Sequence, residues 1–236
     1  MEATVTTDTD QPPSAFSGGA MAPVSIADAA ERHIRTLLFS GKLVAGQELR
    51  DTVIAAELGI ARPTARTAVQ RLVSEGLLVR EPGHSARVRT VTAEDIEDLH
   101  SIRGFIESEA VRRIITEGRE IGAVTEALQH FREAGDTWEA GPDADVAFHS
   151  AVVDAAGSPR LSRMFAAIAA EMRLMVALLR GRYTSLSELL EEHTSLLGAL
   201  ESKELAFALG VWSEHIEDAR AFLMDAIESG AEGTTA

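Results

Sequence analysis

The 236-residue chain has no cysteine, so it can build neither a disulfide framework nor a thiolate metal site. Any metal it holds must be bound through nitrogen and oxygen. Aromatic residues are scarce, at 5%, while Ala and Leu recur at helical spacing, which excludes an aromatic-rich sheet core and points to helices. No apolar run reaches the roughly 18 residues of a membrane span. Basic residues are missing from the start of the chain: the first 23 residues hold Glu2, Asp8 and Asp10 but no Lys or Arg, so the basic start of a signal peptide is lacking. The expectation is a soluble, cytoplasmic protein without a membrane partner.

What is present is hydrophobic material for two cores, at 45% of the chain, and an uneven charge. The net charge is −15, yet residues 24–91 hold 10 Lys and Arg against 7 Asp and Glu, leaving 12 against 30 elsewhere. A basic segment can face phosphates while the acidic remainder keeps the molecule in solution.

Residues 1–23 mix Thr, Asp, Pro, Ser and Gly without periodicity and read as a disordered tail, as do 231–236. From a Ser25 N-cap, Ile26, Ala29, Ala30, Ile34, Leu37 and Leu38 mark one helix ending near Gly41. Asp51 can cap a short helix that Gly59 ends, and a third helix runs from about Arg62 to Glu75 with its apolar stripe on Ala65, Ala68, Val69, Leu72 and Val73. Leu77–Val79, a Pro82-Gly83 turn and Arg87–Val91 read as a two-stranded hairpin. Three helices and a hairpin describe a winged helix-turn-helix over 24–91. Thr92 and Asp95 then have the form of a capping box and open a second, all-helical domain over 92–230. Glycines and prolines divide it into helices at about 93–117, 121–134, 142–156, 160–180, 185–201 and 204–229, which makes an antiparallel bundle. The fold class expected is therefore mainly α.

In the third helix Arg62 and Arg66 lie four apart on one face, with Thr64 and Thr67 beside them. On spacing alone such a pair is a solvated face; at the start of a recognition helix it reaches bases and phosphates. Arg50, Arg71, Arg80, Arg87 and Arg89 add phosphate candidates, of which Arg71 lies on the recognition helix itself. The run Ala61-Arg62-Pro63-Thr64-Ala65-Arg66-Thr67-Ala68-Val69, with Gly41–Leu49, Leu58-Gly59-Ile60 and Glu75-Gly76-Leu77, resembles the GntR family of regulators, whose segment usually reads S-R-T-P-V-R-E-A-L. Ala61, the inverted Pro63-Thr64 and Thr67 depart from that pattern, which bears on the N-cap and the base preference rather than on docking. The resemblance also implies a wing turn near the minor groove, which makes Gly83 and His84 DNA candidates; an exposed turn is the other reading of His84.

Asp145 and His149 lie four apart on one helix face, a spacing suited to a single metal ion, and a bundle can bring His193 and His215 from two later helices to the same point. Asp145-x-x-Phe148-His149, Ala156-Gly157-Ser158-Pro159-x-Leu161, Glu192-His193 and His215-Ile216 resemble the ligand-binding FCD domain of FadR-type GntR regulators over roughly 92–229, six helices placing it nearer the VanR-like branch. That resemblance implies a divalent metal, zinc or nickel, on Asp145, His149, His193 and His215. Through Ile102-Arg103-Gly104-Phe105-Ile106-Glu107 it also implies an organic acid facing Arg103; a salt bridge with Glu107 is the alternative role. It implies further a homodimer on a palindromic double-stranded operator, acting as a repressor that its effector releases.

A metal-dependent hydrolase with an appended DNA-binding head is the competing reading. Against it stand the missing His-Glu-x-x-His motif and the lack of a general base, since Asp154 and Glu192 both fit exposed helical positions. An architectural DNA protein without a ligand would require a dry, apolar bundle centre.

Overall fold

Seen in a computed structural model, which describes residues 25–135 and 137–232, the chain forms two hydrophobic cores. The expected tail at 1–23 lies outside these residues, as does the end of the chain after 232.

The first core begins with α1 (Ile26–Phe39), where Ser25 and Asp28 close a reciprocal capping box. α2 (Asp51–Leu58) stops at Gly59, whose φ of +64° an L side chain adopts only with strain. Asp51 is not its cap as expected: Arg50 holds that position without a side-chain bond, and Asp51, one residue into the helix, accepts from Arg80 Nη2 at 2.5 Å. α3 (Arg62–Ser74) buries Ala65, Ala68, Val69 and Leu72 completely against α1 and α2. Removing a Val or Leu side chain from water stabilises by about 1.5–3 kcal/mol, so this stripe fixes the helix.

The wing is wider than the expected hairpin. β1 (Glu48–Leu49) joins β2 (Leu78–Val79) and β3 (Ala86–Val88) in an antiparallel sheet of order β1-β3-β2, with Glu48 opposite Arg87 and Leu78 opposite Val88. A two-residue strand shows no alternation, which is why β1 leaves no mark on the sequence.

The second core is the bundle: α4 (Ala93–Glu117), α5 (Gly122–Glu133), α6 (Gly141–Ala155), α7 (Pro159–Leu178), α8 (Leu186–Glu201) and α9 (Leu205–Glu232). Single 3₁₀ turns at Trp138–Ala140 and Leu179–Gly181, invisible to periodicity, join two of the connections. Thr92 and Asp95 make the expected capping box at the start of α4. Trp212, Phe131, Phe148 and Phe165 are fully buried between the helices, with α4 packed against α6, α7 and α9. No helix among the described residues is long and apolar enough to cross a membrane.

The two cores touch. Leu174 of α7 is buried in the N-terminal cluster, Arg180 Nη1 donates to the Ser40 carbonyl at 2.9 Å, and Arg89 pairs with Asp95 on α4 (3.1 Å) and Glu171 on α7 (3.0 Å). Arg89 is thus spent at this junction rather than free for phosphate.

Candidate metal centre and nucleic-acid interface

The apolar stripe of α4 runs through Leu99, Ile106, Ala110 and Ile114, and Arg103 and Glu107 fall on that same stripe. Both are therefore forced into the bundle. There they meet Asp145 and His149 from α6, His193 from α8 and His215 from α9. Among the described residues, the three histidines each offer a ring nitrogen, and these nitrogens lie within 4.8 Å of one another.

The outer nitrogens fix the inner ones. His149 Nδ1 donates to Glu107 Oε2 at 2.7 Å, and His193 Nδ1 donates to the Leu189 carbonyl at 2.7 Å. A carbonyl and a carboxylate only accept, so each ring carries its proton on Nδ1 and turns the Nε2 lone pair inward. His215 differs: its Nδ1 lies 3.3 Å from Glu192 Oε2 but makes no hydrogen bond among the described residues. Burial pushes the His149 ring below its ordinary range and the His215 ring down to about 4, so both are neutral, the form that binds a metal. Burial alone would raise Glu107; the Arg103 charge and His149 outweigh it and hold the carboxylate well below its usual range.

One contact inside the cluster is left incomplete. His193 Nε2 lies 3.0 Å from Asp145 Oδ1, and His193 Nε2 and Asp145 Oδ2 are buried without a hydrogen-bond partner among the described residues. Such orphaned acceptors cost about 1–3 kcal/mol each. A cation between them would remove the penalty, and the donor set is nitrogen and oxygen without sulfur. The residues therefore fit a divalent metal.

Arg103 takes the salt-bridge role that was the alternative reading from the sequence. Its Nε donates to Glu107 Oε1 at 2.6 Å, while Nη2 reaches His149 Nε2 at 2.8 Å and His215 Nε2 at 3.3 Å. Three supporting residues, Trp212, Tyr183 and Glu192, were not foreseen. Glu107 also accepts from Trp212 Nε1 at 2.9 Å, and Glu192, expected to be exposed, is half-buried and accepts from Tyr183 Oη at 2.9 Å. The signal for Glu107 was there, a carboxylate on the apolar stripe; Glu192 gave none.

At the other end of the molecule Arg62, Arg66 and the wing residues Gly83 and His84 line one groove of about 440 Å³ with Arg50, Thr52 and Arg80. Arg66 is largely exposed, with Nε 3.7 Å from Asp51 Oδ2. Thr64 is half-buried, and Thr67, though exposed, donates its hydroxyl to the Pro63 carbonyl at 3.0 Å. Arg71 lies apart from the groove: its guanidinium pairs with Asp28 and with Glu31 of α1. Arg80 is mostly buried on Asp51. Gly83 has a φ of +81°, as the wing turn requires, and His84 is exposed beside it, Nδ1 donating to the Pro82 carbonyl at 3.1 Å. The Ala61 N-cap makes no side-chain bond, Pro63 has no N–H and the Thr64 N–H donates to the Ala61 carbonyl at 2.9 Å, which leaves the Arg62 amide for an external acceptor.

A winged helix-turn-helix carrying a helical bundle with a polar, histidine-lined centre defines a DNA-binding regulator with a sensing domain. The known proteins agree. Residues 98–218 match the FCD domain and residues 26–88 match the bacterial regulatory proteins of the gntR family, and the chain belongs to the FCD-bearing GntR regulators. It is 28% identical over 180 residues, 75% of this chain and 79% of the relative, to a Paenarthrobacter nicotinovorans protein named for repression of the D-xylose utilization operon. A solved GntR transcriptional regulator from Rhodococcus sp. RHA1 superposes with a TM-score of 0.67 at 26% identity, covering 85% of this chain and 98% of that one. E. coli McbR/YncC shares the fold, with a TM-score of 0.62 at 23% identity over 86% of this chain and 99% of its own. The protein is a DNA-binding transcription regulator and not an enzyme; the hydrolase alternative finds no support in these relatives.

Proposed function

We propose that this regulator is a homodimeric repressor, with its DNA-binding part ending at Val91, whose grip on a palindromic operator is released when a small organic acid binds in the bundle beside a divalent metal, zinc or nickel. The observation that carries the reading is three imidazoles with ring nitrogens within 4.8 Å of one another, two of them backed by an acceptor at Nδ1, beside the buried Asp145 carboxylate. Bound there, a divalent ion would offer open positions to a carboxylate. Arg103 supplies the positive charge that orients an organic acid, and Glu107 holds that guanidinium by its Nε. α4, which carries Arg103, meets the DNA-binding half through the Asp95–Arg89–Glu171 junction, so occupancy of the bundle biases the DNA-binding heads and operator binding biases occupancy equally. Such a protein works where the chromosome is, in the cytoplasm.

Elemental analysis of tag-free protein tests the centre. Wild type is expected to carry about one divalent metal per chain, as one four-ligand site implies, and His149→Ala and His193→Ala should lose it. Wild type that stays metal-free after incubation with zinc, nickel and manganese would sink the assignment.

The exposed side of α4 supports the homodimer. Phe105 is 65% and Ile102 40% exposed, and beside them a Cβ added at Gly104 would meet nothing within 4 Å among the described residues. Asp98 and Arg112 flank Phe105 at equal sequence distances, so a twofold axis through Phe105 sets each acid against the partner's base. Phe105→Glu would place two like charges at that axis. The variant is expected to sediment as a monomer in analytical ultracentrifugation while keeping its helicity; an intact dimer would remove α4 from the interface.

A further inference from the structure

We infer that Arg103 competes with a divalent cation for the same imidazole nitrogens, so that Arg103 sets the metal affinity of the centre and must leave His149 and His215 when a cation enters. The inference rests on the metal-site reading above. A neutral imidazole has one lone pair, and in this structure the tautomers put it on Nε2. Arg103 Nη2 donates into that lone pair on His149 at 2.8 Å and approaches the one on His215 at 3.3 Å. A metal ligand uses the same electrons. Donation from a guanidinium and coordination of a cation are therefore alternatives at both rings, and the guanidinium charge adds repulsion at a separation where the buried surroundings screen it weakly.

The geometry also shows how Arg103 can yield without leaving the bundle. Its Nε is tied to Glu107 Oε1, whereas the contacts to the histidines are made by Nη2 alone. Glu107 itself is fixed, because its other oxygen accepts from His149 and Trp212. Pivoting about the Nε bond withdraws Nη2 from the rings and keeps the ion pair. His193 and Asp145 are left out of the arginine contacts, so they provide the half of the site that a cation meets first. An organic acid that draws the guanidinium toward its carboxylate frees the two imidazoles, which makes metal and acid favour each other's binding.

The ordinary alternative is a fixed structural arginine that does no more than neutralise Glu107. Competition of the full-length protein with a chromogenic chelator for zinc separates the two. Arg103→Met is expected to bind zinc ~10-fold tighter or more than wild type, since two donated hydrogen bonds and a like charge no longer oppose the ion. Because Arg103→Met leaves Glu107 without its counter-ion, the double variant Arg103→Met/Glu107→Gln is measured beside it; it removes both charges and keeps an acceptor for His149 and Trp212. Equal or weaker zinc binding by the folded variants, with wild type loading zinc normally, overturns the competition and leaves the metal site standing. Absence of zinc binding in all three proteins overturns both.

Discussion

Glu107→Ala is expected to destabilise the bundle by roughly 3–5 kcal/mol, the cost of breaking a buried ion pair from one side. Glu107 is fully buried and serves three donors at once: Arg103 Nε, His149 Nδ1 and Trp212 Nε1. Truncation leaves the Arg103 charge without its nearest counter-ion, in a place where Asp145 is the remaining carboxylate. It also strands the indole N–H and the His149 N–H inside the core, each at about 1–3 kcal/mol. For a chain of this length each kcal/mol moves the melting temperature by about 2–4 °C, so a fall of around 10 °C or more should appear in thermal melts followed by circular dichroism. Glu107→Gln, which keeps acceptors for His149 and Trp212, should fall between. Adding Arg103→Met to Glu107→Gln should recover stability, because removing both members of a buried pair is far milder than removing one. A Glu107→Ala melt within 2 °C of wild type, at most ~1 kcal/mol, would mean that the network carries little of the bundle.

Much of this architecture is legible in the sequence, for a physical reason. Helices of a dozen residues or more repeat their apolar face several times, so α4 to α9 declare themselves and their ends are marked by Gly118, Gly157 and the Ser158-Pro159 cap. The Asp145–His149 spacing is likewise local, because one turn of one helix sets it. What escaped depends on partners distant in the chain. Strand β1 exists only because β3 is there to pair with it, and Asp51 looks like a cap until Arg80 arrives from β2's end to take its carboxylate. Glu192 resembles a solvated helix residue until Tyr183 and His215 close over it. Arg71 shows the same limit from the opposite side: its place on the recognition helix suggests a phosphate, and only the packing of α1 against α3 brings Asp28 and Glu31 to it. Periodicity reports which face is buried, not which charge another helix has already neutralised.

That difference among the arginines governs the second large effect, in the DNA-binding half. Arg62 and Arg66 stand at the exposed start of α3, in the same groove as the wing. Base or phosphate contacts of this kind are worth about 1–3 kcal/mol each, and in a homodimer every substitution acts at both half-sites. Arg62→Ala/Arg66→Ala is therefore expected to weaken binding to a duplex selected by the wild type by ~1000-fold or more, measured by fluorescence anisotropy at several salt concentrations. The salt series assigns the roles: removing one phosphate-binding cation from each protomer lowers the slope of log K against log salt by about 2 for the proposed dimer. Removing a base-reading side chain instead leaves the slope and narrows the gap between selected and random DNA. Arg71→Ala serves as the internal comparison. Its guanidinium is committed to Asp28 and Glu31 on α1, so it should change affinity by no more than a few-fold and leave the slope intact. If Arg71→Ala proved as damaging as the double variant, the ion pairs to α1 would have to open on the operator, and the phosphate-binding face of α3 would extend a further turn and a half toward its C-terminus.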